Sequence, residues 1–423
     1  MWRALTLVST CLAALAAPLA AASSLSTSSP ANGASVSAAI TTRSLGVVIP
    51  WSPDYLTQLD AFSQEVGAAP KLVMSYRDWT LALIDSTQMD AVIARGAIPQ
   101  ITWEPWDPTQ GINQPAYALS TITSGAHDAF IQASAAAAAA YGKPFQLRFA
   151  PEMNGSWAPW EGTINGNTPA GYVAAWQHVV SIFRAAGATN VTWVWAPNNG
   201  PTGTIASYYP GDSWVDVLGL DGYNWGSADV WQTFTQVFGT AYDIVTSLNA
   251  TKPVMITETA SAEAGGDKAA WITSAYLTEI PTRFPRVTAV IWFDVNKEVD
   301  WRVDSSSASL AAYQSVVASP SWGGTLPPAL AVPTLSIIGK TRSSISLTWQ
   351  AVPLATGYTL ERATNPAFSS PTDVTTSGTS ITVSGLASGK TYWFRIRATN
   401  AAAASDWSAA VQETTSRKHK RIE

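Results

Sequence analysis

Four hundred and twenty-three residues, 47% of them hydrophobic and only 13% charged, carry enough apolar surface for a large core and too little charge for a disordered chain. The 24 Lys+Arg against 29 Asp+Glu leave a net charge of -5, and the one basic run, residues 417–421, sits at the extreme C-terminus, which argues against a nucleic-acid partner. A single cysteine, Cys11, excludes a disulfide scaffold, while 20 Trp, 13 Tyr and 11 Phe exceed an ordinary core's needs and suit a ligand with flat apolar faces, such as a sugar.

In chain order, Met1-Trp2-Arg3, the apolar stretch 4–17 and the small residues Ala20, Ala21 and Ala22 read as a signal peptide over 1–22. The expected localisation is therefore secreted and extracellular, and Cys11 leaves with the leader, so thiol catalysis is excluded. No stretch reaches the roughly 18 apolar residues of a membrane span, and no membrane partner is expected. Residues 23–42, rich in Ser, Ala and Thr, read as a disordered linker.

From 43 to 320 short apolar runs alternate with stretches at helical spacing. Strands are expected at 44–49, 71–76, 98–103, 145–152, 191–196, 215–223, 254–258 and 287–294. Helices are expected at 53–66, 85–95, 127–141, 169–186, 230–248, 267–283 and 307–317, with a short irregular spacer between the fifth and sixth strands. Eight such units with near-continuous apolar strands fit an α/β fold of the closed (β/α)8 TIM-barrel type. An open doubly wound sheet is the alternative, but no Gly-rich phosphate loop follows any strand.

A Pro-rich linker spans 321–333, and residues 334–416 then change character, with short strands, Ser/Thr/Gly turns and no helical period. This is the pattern of a small all-β, immunoglobulin-like sandwich, and a basic tail, 417–423, follows it. Leu386-Ala387-Ser388-Gly389-Lys390-Thr391-Tyr392, with a Trp349-bearing strand upstream, resembles a fibronectin type III domain, and the resemblance implies that the Tyr392 hydroxyl bonds back to nearby backbone.

In a barrel the active site forms at the C-terminal ends of the strands, so polar residues that end an apolar run carry the information. Glu152 ends the fourth expected strand and Glu258 the seventh. Glycosidic cleavage needs one carboxylic acid to protonate the leaving oxygen and a second carboxylate to attack the sugar or activate water. A gap of about 5 to 5.5 Å makes the reaction retaining, and one of about 6.5 to 9.5 Å inverting. Sugar-compatible groups surround the pair: Asn154, Trp157 and Trp160 follow Glu152, Tyr223 ends the sixth strand and Trp292 lies in the eighth. Trp103 and Glu104 are read as a substrate wall, Asn198 as a hydroxyl partner and Trp225 as a loop aromatic. Trp301 is a second loop aromatic, Asp221 and Asp294 are read as structural carboxylates or, less favoured, as supports of the site groups, and His127 and His178 fall in helices as surface or packing residues. No metal-ligand spacing, cofactor motif or Gly-x-Ser-x-Gly elbow appears, so no metal and no cofactor are expected.

The string Arg148-x-x-x-Glu152-Met153-Asn154-Gly155-x-Trp157-x-x-Trp160, with Glu258 on the seventh strand, resembles glycoside hydrolase family 26 of the clan A retaining barrels over residues 45–313. The resemblance implies Glu152 as acid/base, Glu258 as nucleophile, Tyr223 as the hydroxyl that orients the nucleophile, and Trp292 as a platform under the sugar. Arg148, as part of the string, joins the substrate-binding set. It further implies endo-acting hydrolysis of β-mannan, mixed-linkage β-glucan or β-1,3-xylan, with β-1,4-mannan first on family frequency. One position departs from the pattern: the family has His immediately before the acid/base, and here Pro151 offers neither a side-chain donor nor an N–H. That oddity motivates the alternative of a carbohydrate-binding protein without turnover, although a binding cleft needs neither acid nor nucleophile. The expected partner is a polysaccharide and the expected state a monomer.

Overall fold

The computed structural model describes residues 42–50, 52, 54–323, 330–352, 355, 357–399 and 404–417. The expected leader, nearly all of the linker after it, the middle of the second linker and the tail beyond 417 lie outside the described residues.

Eight parallel strands close into a barrel: β1 (Ser44–Val48), β2 (Leu72–Asp78), β3 (Ile98–Glu104), β4 (Phe145–Phe149), β5 (Val191–Trp195), β6 (Val217–Asp221), β7 (Val254–Thr259) and β8 (Val287–Phe293). They pair in sequence order, and β8 closes on β1 with Gly46 opposite Ile291. Strands covered on both faces need apolar residues at successive positions, and β1, β4, β5, β6 and β7 are buried at every residue. Space between neighbouring strands is tight: a Cβ on Gly219 of β6 would stand 2.7 Å from the Cβ of Ala196, so only glycine fits there.

Around the barrel run α1 (Tyr55–Val66), α2 (Ser86–Ala94), α3 (Leu119–Thr123), α4 (Asp128–Tyr141), α5 (Pro169–Ala185), α6 (Phe234–Leu248), α7 (Lys268–Ser274), α8 (Ile280–Arg283) and α9 (Ser307–Val317). In α5 the buried residues Tyr172, Ala175, Trp176, Val179, Val180 and Phe183 recur every three or four positions, so one stripe faces the sheet. Side-chain caps fix the starts: Asp85 for α2, Thr168 for α5, Asp267 for α7 and Ser306 for α9. At α6 Thr233 and Gln236 form a reciprocal capping box.

Two local features differ from the sequence expectation and one spacer matches it. The helix expected over 267–283 passes through a π-helical turn, Ala275–Glu279, between α7 and α8. Pro281 in α8 has no N–H to donate one turn back, and a wider turn relieves the missing bond. Between β5 and β6 the expected irregular spacer holds two 3-10 segments, Thr202–Tyr208 and Asp212–Trp214. The fourth strand stops at Phe149 rather than at Glu152, with consequences for the site.

The C-terminal strands form two antiparallel sheets. One is ordered β13-β10-β9 and the other β12-β11-β14-β15, with β9 at Ser336–Lys340, β10 at Ser344–Thr348, β11 at Gly357–Ala363, β12 at Thr372–Thr376, β13 at Ser380–Ser384, β14 at Thr391–Thr399 and β15 at Val411–Thr414. Burial alternates strictly along β14, which puts Phe394 and Ile396 into a core with Ile345, Leu347, Trp349 and Leu360. The Ala387 N–H donates to the Tyr392 hydroxyl at 2.9 Å and locks the corner. This core is separate from that of the barrel. The two halves share an ion pair, with Lys252 Nζ 2.5 Å from Asp406 Oδ2.

Candidate active site

β4 ends early because Ala150, at φ 43°, and Glu152, at φ 54°, take left-handed backbone. Such geometry costs a non-glycine residue on the order of 1–3 kcal/mol and persists only where surroundings enforce it. Here they do. The Ala150 N–H donates to the Trp103 carbonyl at 3.0 Å, the Glu152 N–H to the Ala196 carbonyl at 2.8 Å, and Trp160 Nε1 to the Pro151 carbonyl at 2.6 Å. The chain thus turns sharply off the end of β4 and presents the Glu152 carboxyl to its neighbours. Oε1 accepts from Asn198 Nδ2 at 2.5 Å and Oε2 from Trp157 Nε1 at 3.0 Å. Burial and the Glu258 charge push this carboxyl above its ordinary value, and the Asn198 and Trp157 bonds and the Arg148 charge restrain the rise.

Glu258 is held differently. Near the end of β7, its Oε1 accepts from Arg148 Nη2 at 2.5 Å and Tyr76 Oη at 2.8 Å, and its Oε2 from Tyr223 Oη at 2.6 Å. Arg148, buried in β4, also reaches Asp221 Oδ1 at 3.1 Å, which in turn accepts from Thr257 Oγ1 at 2.6 Å. Burial opposes the guanidinium charge, but Asp221 and Glu258 outweigh it and hold Arg148 protonated. Burial, reinforced by the Glu258 carboxylate, pushes the Tyr76 and Tyr223 phenols well up, so both stay O–H donors. The two glutamates differ accordingly: one is gripped by a cation and two phenols, the other by two neutral N–H groups.

Of the expected site residues, Glu152, Glu258, Arg148, Tyr223, Trp157 and Asn198 belong to this network directly. Glu104 ends β3, accepts from Trp106 Nε1 at 3.2 Å, and is raised by burial to about 7 within reach of the Arg148 and Glu258 charges. Trp225 packs edge-on against Trp301 at 5.0 Å, beside Tyr223. Asn154 is buried and bonds the Asn198 backbone from both amide atoms, at 2.9 and 3.0 Å, so it braces the partner of Glu152 rather than reaching ligand. Trp160 is likewise buried and holds the Pro151 carbonyl.

Two expectations are corrected. Trp103 is fully buried among Trp79, Phe130, Phe149 and Phe183, between the strands and the helices, and cannot wall a substrate. Trp292 is no sugar platform: it too is 0% exposed, packs on Trp271, Tyr276 and Tyr313 of the helical layer, and donates Nε1 to the Trp301 carbonyl at 3.0 Å. Its neighbour Phe293 turns the other way and meets Tyr223 edge-on at 5.7 Å. Tyr76 went unnoticed in the sequence although it carries the signal that marked the others, a polar group closing an apolar run. Among the described residues no group of three His, Cys, Asp or Glu could hold a metal ion.

Comparison with known proteins agrees with this fold. The profile of Glycosyl hydrolase family 26 matches residues 99–317, just over half of the chain, and that of the Fibronectin type III domain matches 330–414. Endoglucanase H of Acetivibrio thermocellus is 46% identical over 237 residues, 54% of this chain, and the chain spans only 25% of that protein's length. Among solved structures, the YdhT protein of Bacillus subtilis is 20% identical with a TM-score of 0.50, covering 68% of this chain and 87% of that one. A GH26 beta-mannanase from Bacteroides ovatus is 18% identical with a TM-score of 0.51, covering 67% and 90%. At such identities the two structures speak for the fold alone.

Proposed function

Since the chain belongs to glycosyl hydrolase family 26, and is thus a glycoside hydrolase, we propose that it cleaves a β-linked polysaccharide internally by double displacement, with Glu152 as acid/base and Glu258 as nucleophile. The contrast between the two carboxyls carries this reading. A nucleophile must be aimed, and Arg148, Tyr76 and Tyr223 hold both Glu258 oxygens through three donated hydrogen bonds. An acid must keep its proton, and burial beside Glu258 favours the protonated form of Glu152. In the first step Glu152 would give its proton to the glycosidic oxygen as a Glu258 oxygen bonds to the anomeric carbon and the C–O bond breaks. In the second, Glu152, now a carboxylate, takes a proton from water, which displaces Glu258 and restores both groups. Trp157, 45% exposed and bonded to Glu152, would flank the leaving sugar.

Among the family's substrate classes we favour mixed-linkage β-glucan over β-1,4-mannan. The relative at 46% identity is named an endoglucanase, whereas the mannanases resemble this chain in fold alone. The leader-like sequence of residues 1–22 supports action outside the cell. A panel of mixed-linkage β-glucan, β-mannan and β-1,3-xylan, with product sizing and an NMR readout of the first-formed anomer, tests the whole reading. Short oligosaccharides of retained configuration from the glucan are expected, and an inverted first product would overturn the mechanism. Glu258→Ala should lose at least about 10⁴-fold in kcat while keeping its fold; full turnover by that variant would refute the assignment.

A further inference from the structure

The loop after β8 carries Trp301, whose ring lies 5.0 Å from that of Tyr223 and 5.0 Å from that of Trp225. Tyr223 sits between Trp301 and Phe293, so these rings set the direction of the hydroxyl that donates to Glu258. What holds the loop is a buried cation. Lys268, the first residue of α7, is 1% exposed, and its Nζ donates to the Arg302 carbonyl at 2.7 Å and to Ser305 Oγ at 2.7 Å, with the Trp301 and Asp300 carbonyls at 3.3 and 3.4 Å. The ammonium also stands 5.6 Å over the Trp292 ring, and Trp292 Nε1 donates to the same Trp301 carbonyl. Ser305 passes the connection on to Glu263 Oε1 at 2.7 Å, which also accepts from Ser309 of α9.

We propose that Lys268 is a positioning residue for catalysis: its ammonium, with the Trp292 indole, fixes the Trp301 segment and through that ring aims Tyr223 at the nucleophile. The charge is expensive to bury, and burial brings Lys268 down to about 8, against the opposing pull of Glu263, Asp300, Asp294 and Asp304. Arg302, which also faces this cluster, is paired with Asp300 at 2.6 Å. Those acids keep the ammonium charged at neutral pH, where three donors are available to the loop.

The inference rests on Glu258 being the nucleophile, and the experiment separates the two. Lys268→Met and Lys268→Arg, each checked for native circular dichroism and assayed well below its melting temperature, are compared with Tyr223→Phe and the Lys268→Met/Tyr223→Phe double variant. The substrate is mixed-linkage β-glucan, or β-mannan if the panel returns it. Lys268→Met should lose about tenfold in kcat with KM within about twofold, since small misplacements near the reacting atoms are costly, and Lys268→Arg should regain part of the loss. The double variant should fall no more than about twofold below the worse single one, because both substitutions spoil the same hydroxyl. If Lys268→Met does not fold, Ser305→Ala, which removes one acceptor, should give about a threefold loss with the same non-additivity. Wild-type kcat in a folded variant, or losses that simply multiply, would overturn the role of Lys268 while an inactive Glu258→Ala leaves the mechanism standing.

Discussion

Asn198 and Glu161 show how single groups bias the chemistry of this site. Asn198 donates to the Glu152 carboxylate and so favours the ionised form. Asn198→Ala should therefore raise the Glu152 pKa and move the alkaline limb of the kcat/KM profile to higher pH, while kcat falls by about tenfold through lost orientation. Glu161 is 0% exposed, and burial pushes it to about 8 against the pull of the Ala158 and Trp157 backbone N–H groups. Between about pH 4.5 and 8 the unfolded chain ionises this residue while the folded chain keeps the proton, so wild-type stability drains away as pH rises through that window. Glu161→Gln should accordingly gain melting temperature over wild type at pH 8 and little at pH 5; an equal shift at both would refute the buried, protonated acid. The polar site residues were legible because a polar group ending an apolar run has few structural uses. Trp103 and Trp292 were not: a strand buried on both faces has no polarity alternation, so nothing in the sequence tells an inward indole from an outward one.

Elements follow the same logic of satisfied ends and filled faces. Removing the Thr233 hydroxyl takes one half of the α6 capping box, and Thr233→Ala should cost about 1 kcal/mol and lower the melting temperature by about 2–4 °C, with kcat unchanged. The eight strands could be read from their apolar runs, and most helices from the three- or four-residue recurrence seen in α5. The early end of β4 could not. Ala150 and Glu152 carry no local mark of left-handed backbone, which bonds to Trp103 and Ala196 on the flanking strands impose. The π-turn after α7 has a visible cause in Pro281, but a proline near a helix end predicts termination as readily as a wider turn.

At the scale of the molecule, the barrel and the sandwich each enclose a core, and the network of site contacts lies wholly within the barrel. Ending the chain at Pro327 should leave turnover of soluble polysaccharide within about twofold of the full chain, since function resides in the site rather than the surrounding fold. It should still lower the melting temperature by a few degrees, because Lys252, 5% exposed, loses Asp406. A large loss of turnover would show instead that the sandwich takes part in the reaction. The tryptophans divide unevenly between interior and surface: Trp103, Trp176, Trp195, Trp292 and Trp301 are shut away, while Trp157, bonded to Glu152, is 45% exposed. Among the described tryptophans Trp157 is the exposed one, so iodide in solution would quench it before the indoles that are shut away. A sugar chain seated against that ring would shield it, giving a direct optical signal of cleft occupancy in a variant that cannot turn its substrate over.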